Sequence, residues 1–153
     1  MLEIGQPSPA VSLPTDTGHF SLSDYSGKNV VIFFFPKADT SGCTNEAIAF
    51  SELQTEFDAA NTVVIGISKD TPQKQGKFRD KYNLTCLLGA DHETSVCEDF
   101  GVWVQKSMYG RTYMGIQRAT FLIGPDGSLL HCWPKVKVPG HADDVLSHIR
   151  SGG

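Results

Sequence analysis

The chain has 153 residues, 13 of them basic and 17 acidic, for a formal net charge of −4. That length suits one hydrophobic core, so a single domain over residues 1–153 is expected. No basic stripe favours nucleic acid as a partner, and no apolar run is long enough for a helical membrane span. The start, Met1-Leu2-Glu3-Ile4-Gly5, lacks the basic and apolar regions of a secretory leader, so a cytoplasmic location is expected. Four cysteines (43, 86, 97 and 132) are too scattered for a disulfide scaffold, and the histidines at 19, 92, 131, 141 and 148 form no ligand-like spacing. Neither a metal nor a cofactor is expected.

The apolar run Val30–Phe35 predicts a buried strand. A helix is predicted over 43–58, with Ala47, Phe50, Leu53 and Phe57 on one stripe, Cys43 at its edge and Ile48 on the opposite side. Thr62–Ser68 reads as a second strand. Thr71 followed by Pro72 is a favoured cap and first helical position, predicting a helix to about Tyr82. Cys86–Leu88 suggests a short strand and Thr94–Phe100 a short helix. Ile116–Ile123 and Ser128–Trp133 read as a hairpin around Gly124-Pro125-Asp126-Gly127. Lys135 and Lys137, alternating with valines, are expected on one solvated strand edge, before a last helix over about His141–Ile149. The order βαβα, then ββα, predicts an α/β protein with a mixed central sheet flanked by helices.

The junction of the first predicted strand and helix carries the chemistry: Phe33-Phe34-Phe35-Pro36-Lys37-Ala38-Asp39-Thr40-Ser41-Gly42-Cys43-Thr44. A cysteine there falls in the first helical turn, where free backbone N–H groups and the helix dipole favour an anion. The thiolate is the nucleophilic form of the residue. Pro36-x-x-x-Thr40-x-x-Cys43 resembles the active-site motif of the peroxiredoxins, and FFFPKADTSGCTNEA is similar to their bacterioferritin-comigratory-protein (Q-type) branch. Gly5-Gln6-Pro7 with Val11–Leu13 resembles the family's amino-terminal strand. Met108-Tyr109-Gly110 and Tyr113–Ile123 resemble the segment carrying its active-site arginine, here Arg118. The resemblance spans nearly the whole chain and implies a thioredoxin-like fold.

It also implies a thiol-dependent peroxidase acting on hydrogen peroxide and organic hydroperoxides. Cys43 would attack one peroxide oxygen and become a sulfenic acid. A thiol such as thioredoxin, glutaredoxin or glutathione would reduce it, and the protein would act as a monomer. A free thiol is about 3% ionised at pH 7, so complete ionisation yields roughly thirtyfold in rate. That is small against the roughly 10⁶-fold or more an enzyme supplies, so donors must also stabilise the departing oxygen. Arg118 offers a fixed charge and a rigid fork of N–H groups. The Thr40 hydroxyl is expected to accept from the peroxide while donating toward the sulfur. Backbone N–H groups of Gly42 and Cys43 can complete a nest. Pro36 would wall the pocket with apolar surface. Lys37 and Asp39 read as solvated loop charges.

Q-type relatives often carry a second, resolving cysteine five residues after the first or in the following helix. Those places hold Ile48 and Arg79 here. Cys86, in an apolar stretch, reads as an inert buried thiol, and Cys97 stands beside Glu98 and Asp99, which should raise its pKa. Cys132 reads as packing. A one-cysteine cycle is therefore expected, with a two-cysteine cycle through Cys97 or Cys86 as the alternative. Dithiol exchange of the thioredoxin type lacks a partner, since Thr44-Asn45-Glu46 follow Cys43. A peroxide sensor or a chaperone without sustained turnover remain the rival functions.

Overall fold

The computed structural model describes residues 2–152. In chain order the strands are β1 (Ser12–Thr15), β2 (Gly18–Ser21), β3 (Asn29–Phe34), β4 (Thr62–Ser68), β5 (Leu87–Ala90), β6 (Trp103–Met108), β7 (Arg111–Ile116), β8 (Ala119–Ile123) and β9 (Leu129–Trp133). The helices are α1 (Ser41–Glu52), α2 (Gln54–Ala59), α3 (Pro72–Tyr82), α4 (Val96–Asp99) and α5 (His141–Arg150). Seven strands form one mixed sheet in the order β2-β1-β5-β4-β3-β8-β9, while β6 and β7 pair as a separate ribbon. Strands β3, β4 and β5 run parallel, joined through helices; β8 lies antiparallel to β3 and β9 antiparallel to β8.

Strand β3, inside the sheet between β4 and β8, is apolar from Val30 to Phe34 because both its faces are covered. Successive side chains of a strand point to opposite faces. Val30, Ile32 and Phe34 therefore join Val96, Cys97, Phe100 and Phe121 on one side. Val31 and Phe33, continued by Phe35, meet Phe50, Phe57, Phe78 and Val145 of the helical layer on the other. Phe33 stacks on Phe50 with ring centroids 4.5 Å apart. Gly66, its parallel neighbour, makes room for that ring: a Cβ there would stand 2.5 Å from Phe33 Cζ.

Several boundaries differ from the sequence reading. The helix expected over 43–58 is two helices, broken at Leu53 (φ −97°, ψ 11°), whose N–H bonds back to the Phe50 carbonyl. The strand expected over Ile116–Ile123 is also two. β7 ends at Ile116 and β8 begins at Ala119, leaving Gln117 and Arg118 between them. Lys135 and Lys137 are exposed but lie in a loop after β9, and the short helix narrows to Val96–Asp99. The β6–β7 ribbon was not anticipated as a hairpin.

Candidate active site

Strand β3 runs out at Phe34, and Phe35 stays against the sheet through its N–H to the Ile67 carbonyl, 3.1 Å. The loop that follows is tied at two points. Ala38 N–H donates to Asp70 Oδ2 at 2.8 Å, and Asp39 accepts from Lys81 Nζ at 2.9 Å and from the Tyr82 hydroxyl at 2.5 Å. Asp39 is exposed, as expected of a solvated charge, and it also moors the motif loop to α3. The Tyr82 hydrogen bond, then that from Lys81, holds its carboxyl below the usual range.

Thr40 is the N-cap of α1, its carbonyl accepting the Thr44 N–H at 2.8 Å. Its hydroxyl donates to the Lys37 carbonyl at 2.8 Å, not toward the sulfur as the sequence suggested. The hydroxyl oxygen still has a lone pair to offer. Cys43 follows in the first turn, 1% exposed. Arg118 Nη2 donates to Cys43 Sγ at 3.2 Å, while Nη1 donates to Glu46 Oε1 at 2.6 Å. One guanidinium fork therefore spans two side chains three residues apart on a single helical face. The gap between β7 and β8 holds Arg118 in place, its carbonyl accepting from Val136 N–H at 3.1 Å. Gly42 leaves space for it: a Cβ there would lie 3.2 Å from Arg118 Nη2.

Sequence reasoning missed Glu46. Its side chain is 1% exposed, and burial pushes its carboxyl up to about 7 despite the opposing pull of Arg118. Glu46 Oε2 and the hydroxyl of the neighbouring Thr44 are buried without hydrogen-bond partners among the described residues. Only the spacing to Cys43 hinted at Glu46, and α1 and α2 carry other acids with nothing to separate them by pattern. His141, at the start of α5, is buried 2.8 Å from Thr120 Oγ1. Burial, reinforced by the charge of Arg118, pushes its imidazole down to about 4.

All four cysteines are free thiols. Cys86 lies in the same core layer as Cys43, its sulfur accepting a weak hydrogen bond from Ser51; burial pushes its thiol up to about 11. Cys97 lies in the layer across the sheet. Its thiol is pushed up by burial first and then by Asp91, which accepts its backbone N–H at 2.8 Å; the flanking acids matter less than expected. Cys132 is half-buried on β9. Pro36 is exposed and lines a cleft against the β6–β7 ribbon. Among the described residues no three His, Cys, Asp or Glu side chains gather as a metal site, and no helix is long and apolar enough to cross a membrane.

The chain as a whole is similar to several known proteins. The sequence is 44% identical over 150 residues to peroxiredoxin Bcp of Bacillus subtilis (strain 168), covering 97% of this chain and 96% of that one. It is 40% identical to peroxiredoxin Bcp of Escherichia coli (strain K12) with the same coverage. The fold superposes on a cysteine-to-serine mutant of PrxQ from Xylella fastidiosa with a TM-score of 0.94, at 33% identity and over 99% of this chain and 98% of that one. For bacterioferritin comigratory protein of Xanthomonas campestris, described for its alkyl peroxide reduction activity, the TM-score is 0.88 at 36% identity, over 93% and 91%. Residues 4–132 match the model of the AhpC/TSA family, and with these relatives they make the chain a peroxiredoxin of the Bcp/PrxQ branch, a thiol-dependent peroxidase.

Proposed function

We propose that peroxide reduction here runs through Cys43 in a one-cysteine cycle, with Arg118, Thr40 and Pro36 completing the centre. The observation that carries this reading is the guanidinium 3.2 Å from the Cys43 sulfur. The thiolate attacks the nearer peroxide oxygen, the O–O bond breaks, and the departing oxygen leaves as water or an alcohol after taking up a proton. Cys43 is left as a sulfenic acid. A fixed charge already in place costs no reorganisation as negative charge moves onto the departing oxygen. Thr40 offers its oxygen to the peroxide hydrogen, and Pro36 turns an apolar face toward the substrate.

A first thiol condenses with the sulfenic acid, releasing water and leaving a mixed disulfide; a second thiol releases Cys43. The placement of Cys97 beyond the sheet and the deep burial of Cys86 favour this external thiol over an internal partner. Thioredoxin, glutaredoxin and glutathione are the candidate reductants. The chain works as a monomeric single domain, and its four free thiols suit the reducing cytoplasm.

The test is steady-state peroxide consumption with a thiol reductant. Repeated turnover is expected, abolished in Cys43→Ser; a halt after one equivalent would make the protein a sensor. Non-reducing peptide mapping after one equivalent of peroxide should yield no Cys43–Cys86 or Cys43–Cys97 peptide. Either disulfide would replace the one-cysteine cycle with a two-cysteine one.

A further inference from the structure

A cavity of about 720 Å³ lies on the face of the sheet away from Cys43. Phe100, Val102, Ala119 and Phe121 of that layer form its walls, with Leu2 and Ile4 of the amino-terminal segment beside them. Small-molecule sites are typically concave, about 300–1,000 Å³ in volume and mostly apolar, with a few polar groups that fix orientation. The amino-terminal segment is pinned by the Gly5 N–H, which donates to the Leu129 carbonyl at 2.7 Å. Ile4 is still 57% exposed, so apolar surface faces water at this cavity. Gln117 and Ala119 also line it, while Arg118 between them is directed to Cys43 and Glu46. The cavity is thus separate from the Cys43 centre.

Its charges are one-sided. Glu98 and Asp99, at the end of α4, line the cavity, and no lysine or arginine does. Glu98 is already paired with Lys69 Nζ at 2.8 Å. Asp99 accepts from the Ser95 hydroxyl at 3.1 Å and has no basic side chain within ion-pair distance among the described residues. A carboxylate has about four lone-pair sites, so one hydroxyl leaves most of them free. His131, on the cavity's β9 side, supplies no compensating charge at neutral pH. Its ring stacks on that of His148 at 4.3 Å, and burial, then the neighbouring imidazole, holds it below its usual range. An apolar body carrying one positive charge suits these walls and this carboxylate. An apolar anion would bring its charge against Asp99 and be repelled.

We infer that this cavity is a second binding site, that it takes a small apolar molecule bearing one ammonium group, and that Asp99 selects the charge. Burial of the apolar body supplies most of the affinity. The exposed carboxylate adds only a few-fold, which is enough to rank ligands by sign. The inference stands apart from the peroxidase reading, since none of the residues assigned to that chemistry lines the cavity.

Three probes of one shape test it: naphthylmethylamine, naphthylmethanol and naphthylacetate, titrated at pH 7 into isotope-labelled protein and followed by amide shifts. Saturable shifts are expected at Val102, Gln117, Ala119 and Cys132. The amine should bind roughly two- to fivefold more tightly than the alcohol, and the carboxylate more weakly than both. Added salt should draw the three affinities together. Asp99→Asn, which keeps an acceptor for Ser95, should erase the ranking and leave the alcohol's affinity unchanged. Cys132→Phe, which fills the cavity from β9, should weaken all three probes; Asp99→Asn, on the surface, decides the matter should the bulky variant fail to fold. Hydrogen peroxide consumption by wild type should show no competitive inhibition by the amine. The inference is overturned by the absence of saturable shifts up to the solubility of the probes, or by shifts centred on Cys43 and Pro36. Competition with peroxide, or an unchanged ranking in Asp99→Asn, equally overturns it.

Discussion

Gly42 shows how little space separates a working centre from a displaced one. An alanine methyl would press 3.2 Å from Arg118 Nη2, so the guanidinium must retreat by a few tenths of an ångström from the sulfur it now reaches. Alanine is favoured over glycine inside a helix by up to about 1 kcal/mol, so Gly42→Ala should melt no lower than wild type. Its kcat/KM should nonetheless fall several-fold, since an error of about 1 Å can cost roughly 100-fold. Lost stability with full activity would contradict this account. Arg118→Ala should lose about 10²–10³ in kcat/KM, the scale of one charge-stabilising donor. Arg118→Lys should recover little, because a single ammonium does not span Cys43 and Glu46 as the fork does. Preserved turnover in Arg118→Ala, measured with saturating reductant, would strip the residue of its role.

The elements most readable from sequence were those whose ends carry their own chemistry. Thr71 caps α3 through the Lys74 N–H at 3.3 Å with Pro72 next, and Gly124–Gly127 turns β8 into β9 as its composition demands. The break at Leu53 was invisible because the apolar spacing of Phe50, Leu53 and Phe57 runs through it with no glycine or proline to mark it. Arg118 reads as part of a strand because four of the five residues after it are apolar; nothing local announces the gap that frees its side chain. The family motif pointed to Cys43, Thr40 and Pro36 as candidates, whereas Glu46 and Asp39 depend on partners 72 and 42 residues away, beyond any local pattern. The ribbon β6–β7 was missed because its faces are mostly exposed and its turn is poorly marked. Met108 pairs with Arg111 across a two-residue turn in which both Tyr109 (φ 52°) and Gly110 (φ 76°) are left-handed. Such turns favour Asn before Gly, and a bulky residue in that region is strained. Tyr109, 98% exposed, packs on almost nothing that a smaller residue would lose. Tyr109→Asn should therefore stabilise the ribbon by about 0.5–1 kcal/mol, seen as slower amide exchange in β6 and β7. Faster exchange would mean that the ring is held by something other than the turn.

Two buried titratable groups in the helical layer carry opposite pH dependences through the whole molecule. Glu46 rises from 4.5 to about 7 on folding, so its contribution is full below pH 4.5 and is lost as pH climbs through 7. His141 falls from 6.5 to about 4, so its contribution is full above pH 6.5 and is lost as pH drops through 4. Each displacement corresponds to about 3 kcal/mol at one pKa unit per 1.36 kcal/mol. Between pH 4.5 and 6.5 the two slopes oppose each other, and the pair contributes a plateau where either alone would give a ramp. Removing one should expose the other. Relative to Glu46→Gln, wild type should lose about 3 kcal/mol between pH 4.5 and 7; relative to His141→Gln, it should lose a similar amount from pH 6.5 down to 4. Arg118 acts on both groups, pulling Glu46 down and pressing His141 down with it. The two substitutions should therefore couple, their combined effect departing from the sum by more than the roughly 0.5 kcal/mol allowed to independent sites. Denaturant unfolding of the four proteins across pH 4 to 8 reads all of this at once, and difference curves that stay flat would show that neither burial is felt by the fold.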